Sequence, residues 1–422
     1  MLGPMVVVAE NSAAGLLDIL GKAGAFPIVE TGWADAPAAI AEIQPVALVT
    51  ADPGPAPDLR HKRALLQAIE TRGGPVMPVI ARLTPKSDVA LPYALPVAVD
   101  EAPERLVARL RSALRIRTLH ATVLRRARAE GAPAVALPLP YAPNMLEDAT
   151  VLCVGRGSSY PALSVAIGER VGLIGALSVE TAARYLAARD IEGVVIGDGL
   201  GPRVVEALLT VLAEDARFRD LPVGLLDNTG IDDERLPNLI RIDSDPIRLI
   251  ERFLPMVRLH AFEARLKRTL KSLEAEGIID PDTGLLGPTA FWRDLERAVA
   301  EAEDGGRALS VARFSFEEMA DRRAHADAAR LFSRLIRNID FAYREQDGSI
   351  LAAFTETDLR SAHVVARRLA SILRHTMLSP GRDRRSIKPT VTLATLKSSD
   401  SLSTLVARVG SHPKVAAEQQ RA

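Results

Sequence analysis

The chain has 422 residues, of which 48% are hydrophobic and 25% are charged. This length accommodates about three domains of ordinary size and excludes a single small module. Lysine and arginine together number 53, as do aspartate and glutamate, so the balance of charge excludes a general attraction to nucleic acid or to an anionic membrane.

The start of the chain and its cysteine content indicate a compartment. Cys153 is the one cysteine, so no intrachain disulfide can form. The opening residues "MLGPMVVVAE" lack the basic region and long apolar run of a secretory signal. No apolar run approaches the roughly 20 residues that a membrane-spanning helix needs. The sequence therefore predicts a cytoplasmic protein without a membrane span.

The first domain is predicted over residues 1–128. Short apolar runs such as "VVVA", "PVALVT", "PVMPVIA" and "LPVAV" alternate with amphipathic segments such as "APERLVARLRSAL". Repeated βα units of this kind predict a doubly wound parallel sheet. Residues 129–147 follow as a linker, because they are rich in proline and alanine and poor in charge.

The same order of elements recurs over residues 148–257, which predicts a second domain of the same fold. Its apolar runs are "VLCVG", "GVVIG", "LPVGLL" and "NLIRID". The two copies also end alike: "PERLVARL" at 103 and "PIRLIERF" at 246 both place proline at a helix start, where its missing N–H costs nothing. These parallels indicate an internal duplication.

Residues 258–279 are predicted to form a stalk helix. Leu259, Phe262, Leu266 and Leu273 follow a three-four spacing that Thr269 interrupts, and Gly277 is the expected C-terminal cap. Two interpretations stay open at this point. The apolar stripe is either a short coiled-coil seam between two chains or the face by which the helix packs on its own domain.

Residues 280–422 are predicted to form a third, mixed α/β domain with a ferredoxin-like order of elements. A hairpin is expected where "FAYR" and "ILAAF" flank the turn residues Gln346, Asp347, Gly348 and Ser349. An Asp-Gly pair between two strand-like runs is a strong signal for a tight turn in which glycine supplies a positive φ. Asp347 is therefore predicted to form the turn.

Three segments of this last domain resemble a GGDEF domain, the domain of diguanylate cyclases. They are "DPDTGL", "AFWRDLERA", and "RNIDFAYR" immediately before the hairpin. The two preceding domains resemble CheY-type receiver domains by pattern alone. The whole chain thus resembles response regulators of the PleD type. The resemblance implies flavodoxin-like receivers followed by a ferredoxin-like GGDEF domain, a role in two-component signal transduction, and a homodimer formed through the receivers.

The residues needed for cyclase chemistry are replaced at the matching positions. The family holds two metal ions with carboxylates on the first strand and at the hairpin tip, and its tip glycines admit the phosphates. The first-strand positions fall on Ser315, Phe316 and Glu317, and the tip positions fall on Gln346, Asp347, Gly348, Ser349 and Ile350. The resemblance therefore predicts no catalytic residue, no metal site and no cofactor.

The receiver-like copies lack a phosphorylation site in the family's pattern. The phosphoacceptor position is Thr50 in the first copy and Gly197 in the second, where Asp198 lies one residue further on. No acidic pair or lysine stands at the positions that would assist Asp198. The sequence favours receivers without phosphorylation, with Asp198 as the remaining candidate acceptor.

One family feature is retained before the hairpin. Arg337 and Asp340 match an Arg-x-x-Asp motif that binds cyclic di-GMP at an inhibitory site in the family, and Arg368 matches a further arginine of that site. Arginine forks onto phosphate and a carboxylate accepts from guanine N–H groups. Arg367 and Arg334 are candidates for extra phosphate contacts. The alternative interpretation is that Arg337 and Asp340 form an exposed surface ion pair.

These observations lead to three hypotheses for function. The first is a catalytically inactive GGDEF protein that binds cyclic di-GMP as a regulatory ligand and signals through a protein partner. The second is a scaffold that binds no nucleotide. The third is a diguanylate cyclase with an unorthodox active site.

Overall fold

The computed structural model describes most of the chain. The described residues are 3–51, 58–84, 91–128, 135–226, 235–242, 245–305, 307–316, 322–337, 339–375 and 389–410. The chain divides into two compact units. The first comprises residues 1–129, 137–185 and 191–267, and the second comprises residues 130–136, 186–190 and 268–422.

The first unit begins with a five-stranded sheet and its helices. Its strands are β1 (Gly3–Val8), β2 (Ala25–Thr31), β3 (Ala47–Thr50), β4 (Val79–Leu83) and β5 (Leu95–Ala98). Its helices are α1 (Ala14–Lys22), α2 (Ala36–Ile43), α3 (Leu59–Thr71) and α4 (Pro103–Ala127). All strand pairs are parallel, in the order β2-β1-β3-β4-β5. The near-continuous apolar runs of the sequence form the largely buried strands β1, β3, β4 and β5, as expected for a parallel sheet covered by helices, whereas the edge strand β2 is mostly exposed or half-buried.

A second parallel sheet repeats this order. Its strands are β6 (Thr150–Val154), β7 (Gly172–Ala176), β8 (Gly193–Ile196), β9 (Val223–Leu226) and β10 (Leu239–Ile242). Its helices are α5 (Tyr160–Gly168), α6 (Val179–Ala188), α7 (Pro202–Glu214) and α8 (Pro246–Glu274). The order β7-β6-β8-β9-β10 is that of the first sheet, which is the flavodoxin-like order. The parallel sheets are as predicted, whereas the identification of the two copies as receiver domains stays a prediction.

Helix α8 joins two segments that the sequence analysis treated separately. The closing phrase of the second copy and the predicted stalk form one continuous helix that passes through Pro255. Phe262, Leu266 and Leu273 of the predicted seam are buried within the single chain, which favours packing on the same chain over a seam between chains. After the helix, the Gly277 N–H donates to the Ser272 carbonyl at a φ of 76°, so the predicted cap is confirmed.

The second unit contains an antiparallel sheet. Its elements are α9 (Pro288–Gly305), β11 (Leu309–Phe316), α10 (Arg322–Leu335), β12 (Phe341–Arg344), β13 (Ile350–Thr355), α11 (Leu359–His375), β14 (Pro389–Thr395) and α12 (Leu402–Ala407). The strand order is β12-β13-β11-β14 with every pair antiparallel. The order of elements β11-α10-β12-β13-α11-β14 is the ferredoxin-like one that the sequence predicts.

Alternation along β11 decides which side chains face which layer. Phe314 packs with Phe332 of α10 and Leu369 of α11. Val311, on the opposite face, packs with Phe291 of α9 and with Leu351. Among the described residues, no helix has both the length and the hydropathy to cross a membrane.

Candidate functional site

The predicted hairpin is present as strands β12 and β13, in which Arg344 pairs with Ile350. The Glu345 N–H donates to the Ser349 carbonyl at 2.8 Å, and the Gly348 N–H donates to the Glu345 carbonyl at 3.0 Å. Gly348 has a φ of 84°, as a tight Asp-Gly turn requires. The Asp347 carboxylate accepts from the Ser349 N–H at 2.9 Å, so the prediction that Asp347 forms the turn is confirmed.

An arginine of the central strand β11 reaches this turn. Arg313 lies on the same face of β11 as Val311, and its Nε is 2.6 Å from Glu345 Oε2. Its terminal nitrogen Nη2 is 2.6 Å from Asp347 Oδ2. Burial by itself would lower the pKa of Arg313, but the Glu345 and Asp347 carboxylates reverse the direction and hold this pKa above its usual value. A cation fixed to the chain therefore lies between the two carboxylates nearest the tip.

The described positions that match the family's metal ligands hold no cluster of carboxylates. Ser315 and Phe316 end β11, and Glu317 lies outside the described residues. Ser349, at the signature position of the acidic ligand, is a buried hydroxyl. Within the described part of the chain, no group of three or more His, Cys, Asp or Glu side chains is placed to hold a metal ion.

The space over the turn is filled by a histidine. A Cβ built on Gly348 would overlap with Nδ1 of His325, so the imidazole lies directly against the glycine backbone. The ring also lies 6.0 Å from that of Phe316, measured between centroids. A phosphate placed against Gly348 would have to displace this side chain. Neither His325 nor Arg313 was predicted as a site residue, since no family motif places a residue of either type there.

Asp340 is buried at the end of the loop between α10 and β12. Its side chain is 6% exposed, and Oδ1 accepts from the Thr355 N–H at 3.1 Å. The Asp340 N–H donates to the Arg337 carbonyl at 3.0 Å, and the Thr355 hydroxyl donates to the Ile339 carbonyl at 3.0 Å. Burial raises the pKa of Asp340, against the opposing effects of the Thr355 N–H and the nearby Arg337 guanidinium. The loop is thus fixed to β13 through its acidic residue.

The basic residues of the predicted ligand site are exposed. Arg337 is exposed on the same loop and lies close enough to Asp340 to lower its pKa. Asn338, between them, lies outside the described residues. Arg367 and Arg368 are exposed on α11, which packs against α10. Arg337 and Asp340 thus lie near each other on one loop, and Arg368 lies on α11, beside α10. Their role in binding a ligand stays a prediction.

Arg334, the last basic residue of α10, already has an acidic partner. Its guanidinium forms an ion pair with Asp190, which belongs to the same compact unit although it lies 144 residues earlier in the chain. The adjacent Arg189 forms an ion pair with Asp327 of α10. These contacts were missed from the sequence, because nothing in the local pattern around residue 190 indicates α10 as its neighbour.

Asp198, the candidate phosphoacceptor, is half-buried and lies against the turn that precedes α5. It accepts hydrogen bonds from the Ser159 hydroxyl and N–H and from the Ser158 hydroxyl. A Cβ on Gly157 would overlap with its carboxylate. The hydrogen bond from the Ser159 hydroxyl has the largest effect in lowering the pKa of Asp198. The hydrogen bonds from the Ser159 N–H and the Ser158 hydroxyl lower this pKa further. The carboxylate is therefore engaged in stabilising this turn.

Among known proteins, similarity to this chain is found in solved structures only. No family model matches the chain, and neither does any curated protein. The coiled coil and GGDEF domain of DgcB from Caulobacter crescentus, in complex with c-di-GMP, is 20% identical and matches 37% of this chain and 87% of that one, with a TM-score of 0.30. The GGDEF domain of FimX from Pseudomonas aeruginosa is 17% identical and matches 34% and 94%, with a TM-score of 0.29.

A third neighbour was solved together with an activator protein. Diguanylate cyclase SiaD in complex with its activator SiaC, from Pseudomonas aeruginosa, is 18% identical and matches 41% of this chain and 74% of that one, with a TM-score of 0.30. The structural neighbours are thus GGDEF domains. Identities and TM-scores this low do not assign the chain to a family.

Proposed function

We propose that this protein is a catalytically inactive GGDEF-type response regulator that binds cyclic di-GMP through Arg337, Asp340 and Arg368. The observation that carries the proposal is the loop before the hairpin. There a buried carboxylate is fixed by the Thr355 N–H beside an exposed guanidinium. Rigid placement of one polar partner lowers the entropy that a ligand must pay on binding.

The chemistry of the three residues matches a guanine dinucleotide. An ionised carboxylate accepts about four hydrogen bonds, so Asp340 keeps capacity for guanine N–H donors after its bond to the Thr355 N–H. Guanidinium groups stack on bases and fork onto phosphate oxygens. Arg337 and Arg368 are exposed and are our candidates for these contacts.

Catalytic inactivity is the second part of the proposal. A cyclase has to hold metal ions on a triphosphate to neutralise the charge that develops during phosphoryl transfer. Here Glu345 and Asp347 pair with Arg313, and His325 fills the space against Gly348. Both features support a hairpin that is retained as structure without metal or cofactor, and they count against the hypothesis of a cyclase with an unorthodox site.

The proposal further includes an unidentified signalling protein as partner and a homodimer formed through the receiver-like domains in the cytoplasm. The competing hypothesis is a scaffold that binds no nucleotide. It is favoured by the fact that Asp340 already has a structural hydrogen bond. Under that hypothesis, Arg337 binds no ligand and only favours the ionised form of the nearby Asp340, whose burial excludes the exposed ion pair considered from the sequence.

A calorimetric titration of cyclic di-GMP tests the proposal. We expect saturable binding by the wild-type protein at tens of micromolar or tighter, and none by Arg337→Ala. Arg217→Ala is the matched control, because Arg217 is an exposed arginine of the first unit that is paired with Asp215. Absence of heat with the wild type would leave the scaffold. Product formed from GTP with Mg²⁺ or Mn²⁺ would restore the cyclase hypothesis.

A further inference from the structure

One face of α10 carries a line of charged residues that leads to the proposed ligand site. Asp327, Arg330 and Arg334 are spaced by three and four residues, which places them on one helical face. Arg337 follows three residues later, just beyond the helix end at Leu335. Arg334 is therefore the member of this line nearest in sequence to the proposed site.

The segment 186–190 of the same compact unit contacts this face at two places. The first contact is buried. Arg189 pairs with Asp327, and their side chains are 2% and 8% exposed. Arg330 lies 3.4 Å from the second Asp327 oxygen and donates through Nε to the Asp282 carbonyl at 2.7 Å. Breaking a buried pair leaves an uncompensated charge, so this contact is expected to persist.

The second contact is the pair of Asp190 with Arg334. These side chains are 31% and 46% exposed, so water competes for both. Burial by itself would raise the pKa of Asp190, but Arg334, Arg330 and Arg268 hold it below its usual value. The carboxylate is thus ionised at neutral pH. Partly exposed pairs of this kind are weak, and an arginine in one can exchange its partner.

We propose that Arg334 is a further ligand contact of the cyclic di-GMP site and that Asp190 is its internal competitor. The inference rests on the proposed function and adds a regulatory element to it. A phosphate of the dinucleotide and the Asp190 carboxylate require the same guanidinium donors. Ligand binding therefore releases Asp190, while Arg189 stays paired with Asp327.

The competition between Asp190 and the ligand for Arg334 determines how tightly the site binds cyclic di-GMP. In the free protein, Asp190 pairs with Arg334, the basic residue nearest to Arg337 in sequence, so nonspecific anions gain little there. A dinucleotide that also binds Arg337 and Asp340 displaces Asp190 from Arg334, because the entropy lost in ordering the ligand is lost once for all of its contacts. The release of Asp190 links occupancy of the site to a segment that is continuous in sequence with α6 and β8.

Removal of the competitor is the direct test, with cyclic di-GMP titrated into the full-length chain. We expect Asp190→Asn to bind about 3 to 10 times more tightly than wild type, since a neutral amide holds Arg334 less strongly. Arg334→Ala should bind about 10 times more weakly. In the Arg334→Ala background, Asp190→Asn should have no further effect.

Asp215→Asn is the matched control. Asp215 is 30% exposed and pairs with Arg217 in the first unit, so its change removes a similar ion pair far from the site in sequence. Its affinity for cyclic di-GMP should equal that of the wild type. If Asp190→Asn is not recovered folded, Asp190→Ser replaces it. Hydrogen exchange of the wild type, with faster exchange over residues 186–190 when ligand is present, gives a readout without any variant.

The outcomes separate the two proposals. Unchanged or weaker binding by Asp190→Asn, with wild-type binding intact, overturns the competition alone. The same holds for equal tightening in the wild-type and Arg334→Ala backgrounds, and for exchange over residues 186–190 that does not respond to ligand. No binding by the wild type overturns the proposed function and this inference together.

Discussion

The hairpin turn and the loop before it are neighbours in the chain, yet their charged groups are used differently. At the turn, Arg313 pairs with both Glu345 and Asp347, so the nearby charges are satisfied internally. On the loop, Asp340 is fixed by a backbone N–H while Arg337 remains exposed. We propose from this difference that the turn has lost metal chemistry because the chain supplies its own cation there, and that the loop binds a ligand because its cation faces solvent.

The largest expected effect is a loss of stability when a methyl group is added at Gly348, in the space that His325 occupies. Gly348→Ala places a Cβ into His325 at a positive φ, and we expect it to lower the free energy of unfolding by about 2–4 kcal/mol. In a His325→Ala background the same change should cost about 1–2 kcal/mol, because the backbone strain alone remains. Chemical denaturation of the four proteins measures the coupling. Equal costs in both backgrounds would show that His325 does not fill this space.

The second effect concerns the affinity of the proposed cyclic di-GMP site. Arg368→Ala should weaken cyclic di-GMP binding by about 10- to 100-fold, as expected for the loss of a charge-assisted contact to phosphate or base. The fold should be unaffected, because the side chain is exposed on α11. Arg360→Ala is the control on the same helix, where Arg360 is likewise exposed. Equal affinities of the two variants would remove Arg368 from the site.

The third effect concerns Arg313, the cation that pairs with Glu345 and Asp347 at the turn. Arg313→Met keeps the apolar stem but leaves Glu345 and Asp347 close together without a positive charge. We expect a loss of about 1–2 kcal/mol in the free energy of unfolding, because the pair is only partly buried. Adding Mg²⁺ should recover part of this loss in the variant and do nothing for the wild type. A wild-type protein stabilised by Mg²⁺ would contradict the account of the turn.

The smallest effect is a dependence on pH. Burial raises the pKa of Asp340 above the value of 3.8 of the free side chain. The fold therefore favours the protonated form, so this contribution to stability is complete below pH 3.8 and is lost as pH rises through the folded pKa. Asp340→Asn keeps an acceptor for the Thr355 N–H without ionising.

The stability of Asp340→Asn relative to wild type should thus increase from below pH 3.8 to neutral pH. Thermal unfolding midpoints across this range measure the difference. A difference that is constant with pH, or that falls as pH rises, would contradict the buried placement of the carboxylate.

Most of the fold follows from local patterns in the sequence. Apolar runs of strand length and amphipathic segments between them predict the parallel sheets, and the Asp347-Gly348 pair predicts the tight turn. Gly277 marks the end of α8 because a residue with positive φ was needed there. The continuity of α8 was not predicted, because the closing phrase of the second copy and the stalk were assigned to separate segments, 148–257 and 258–279.

The site was predicted in part. Motif spacing indicates Arg337, Asp340 and Arg368, but it gives no burial, and the bond from the Thr355 N–H depends on strand pairing. Arg313 was overlooked because its role depends on which face of β11 it occupies and on the length of its side chain. The pair of Asp190 with Arg334 joins residues 144 positions apart, and no local pattern predicts such a contact.

The central claim, that recognition is retained without metal chemistry, is tested most directly by equilibrium dialysis of the full-length wild-type protein. Labelled cyclic di-GMP and labelled GTP are offered in parallel, with EDTA and with Mg²⁺, and bound ligand and product are quantified in the same samples. We expect saturable cyclic di-GMP binding that is independent of Mg²⁺, and we expect GTP to be neither bound nor converted. Binding of GTP that requires Mg²⁺, or formation of product, would contradict it.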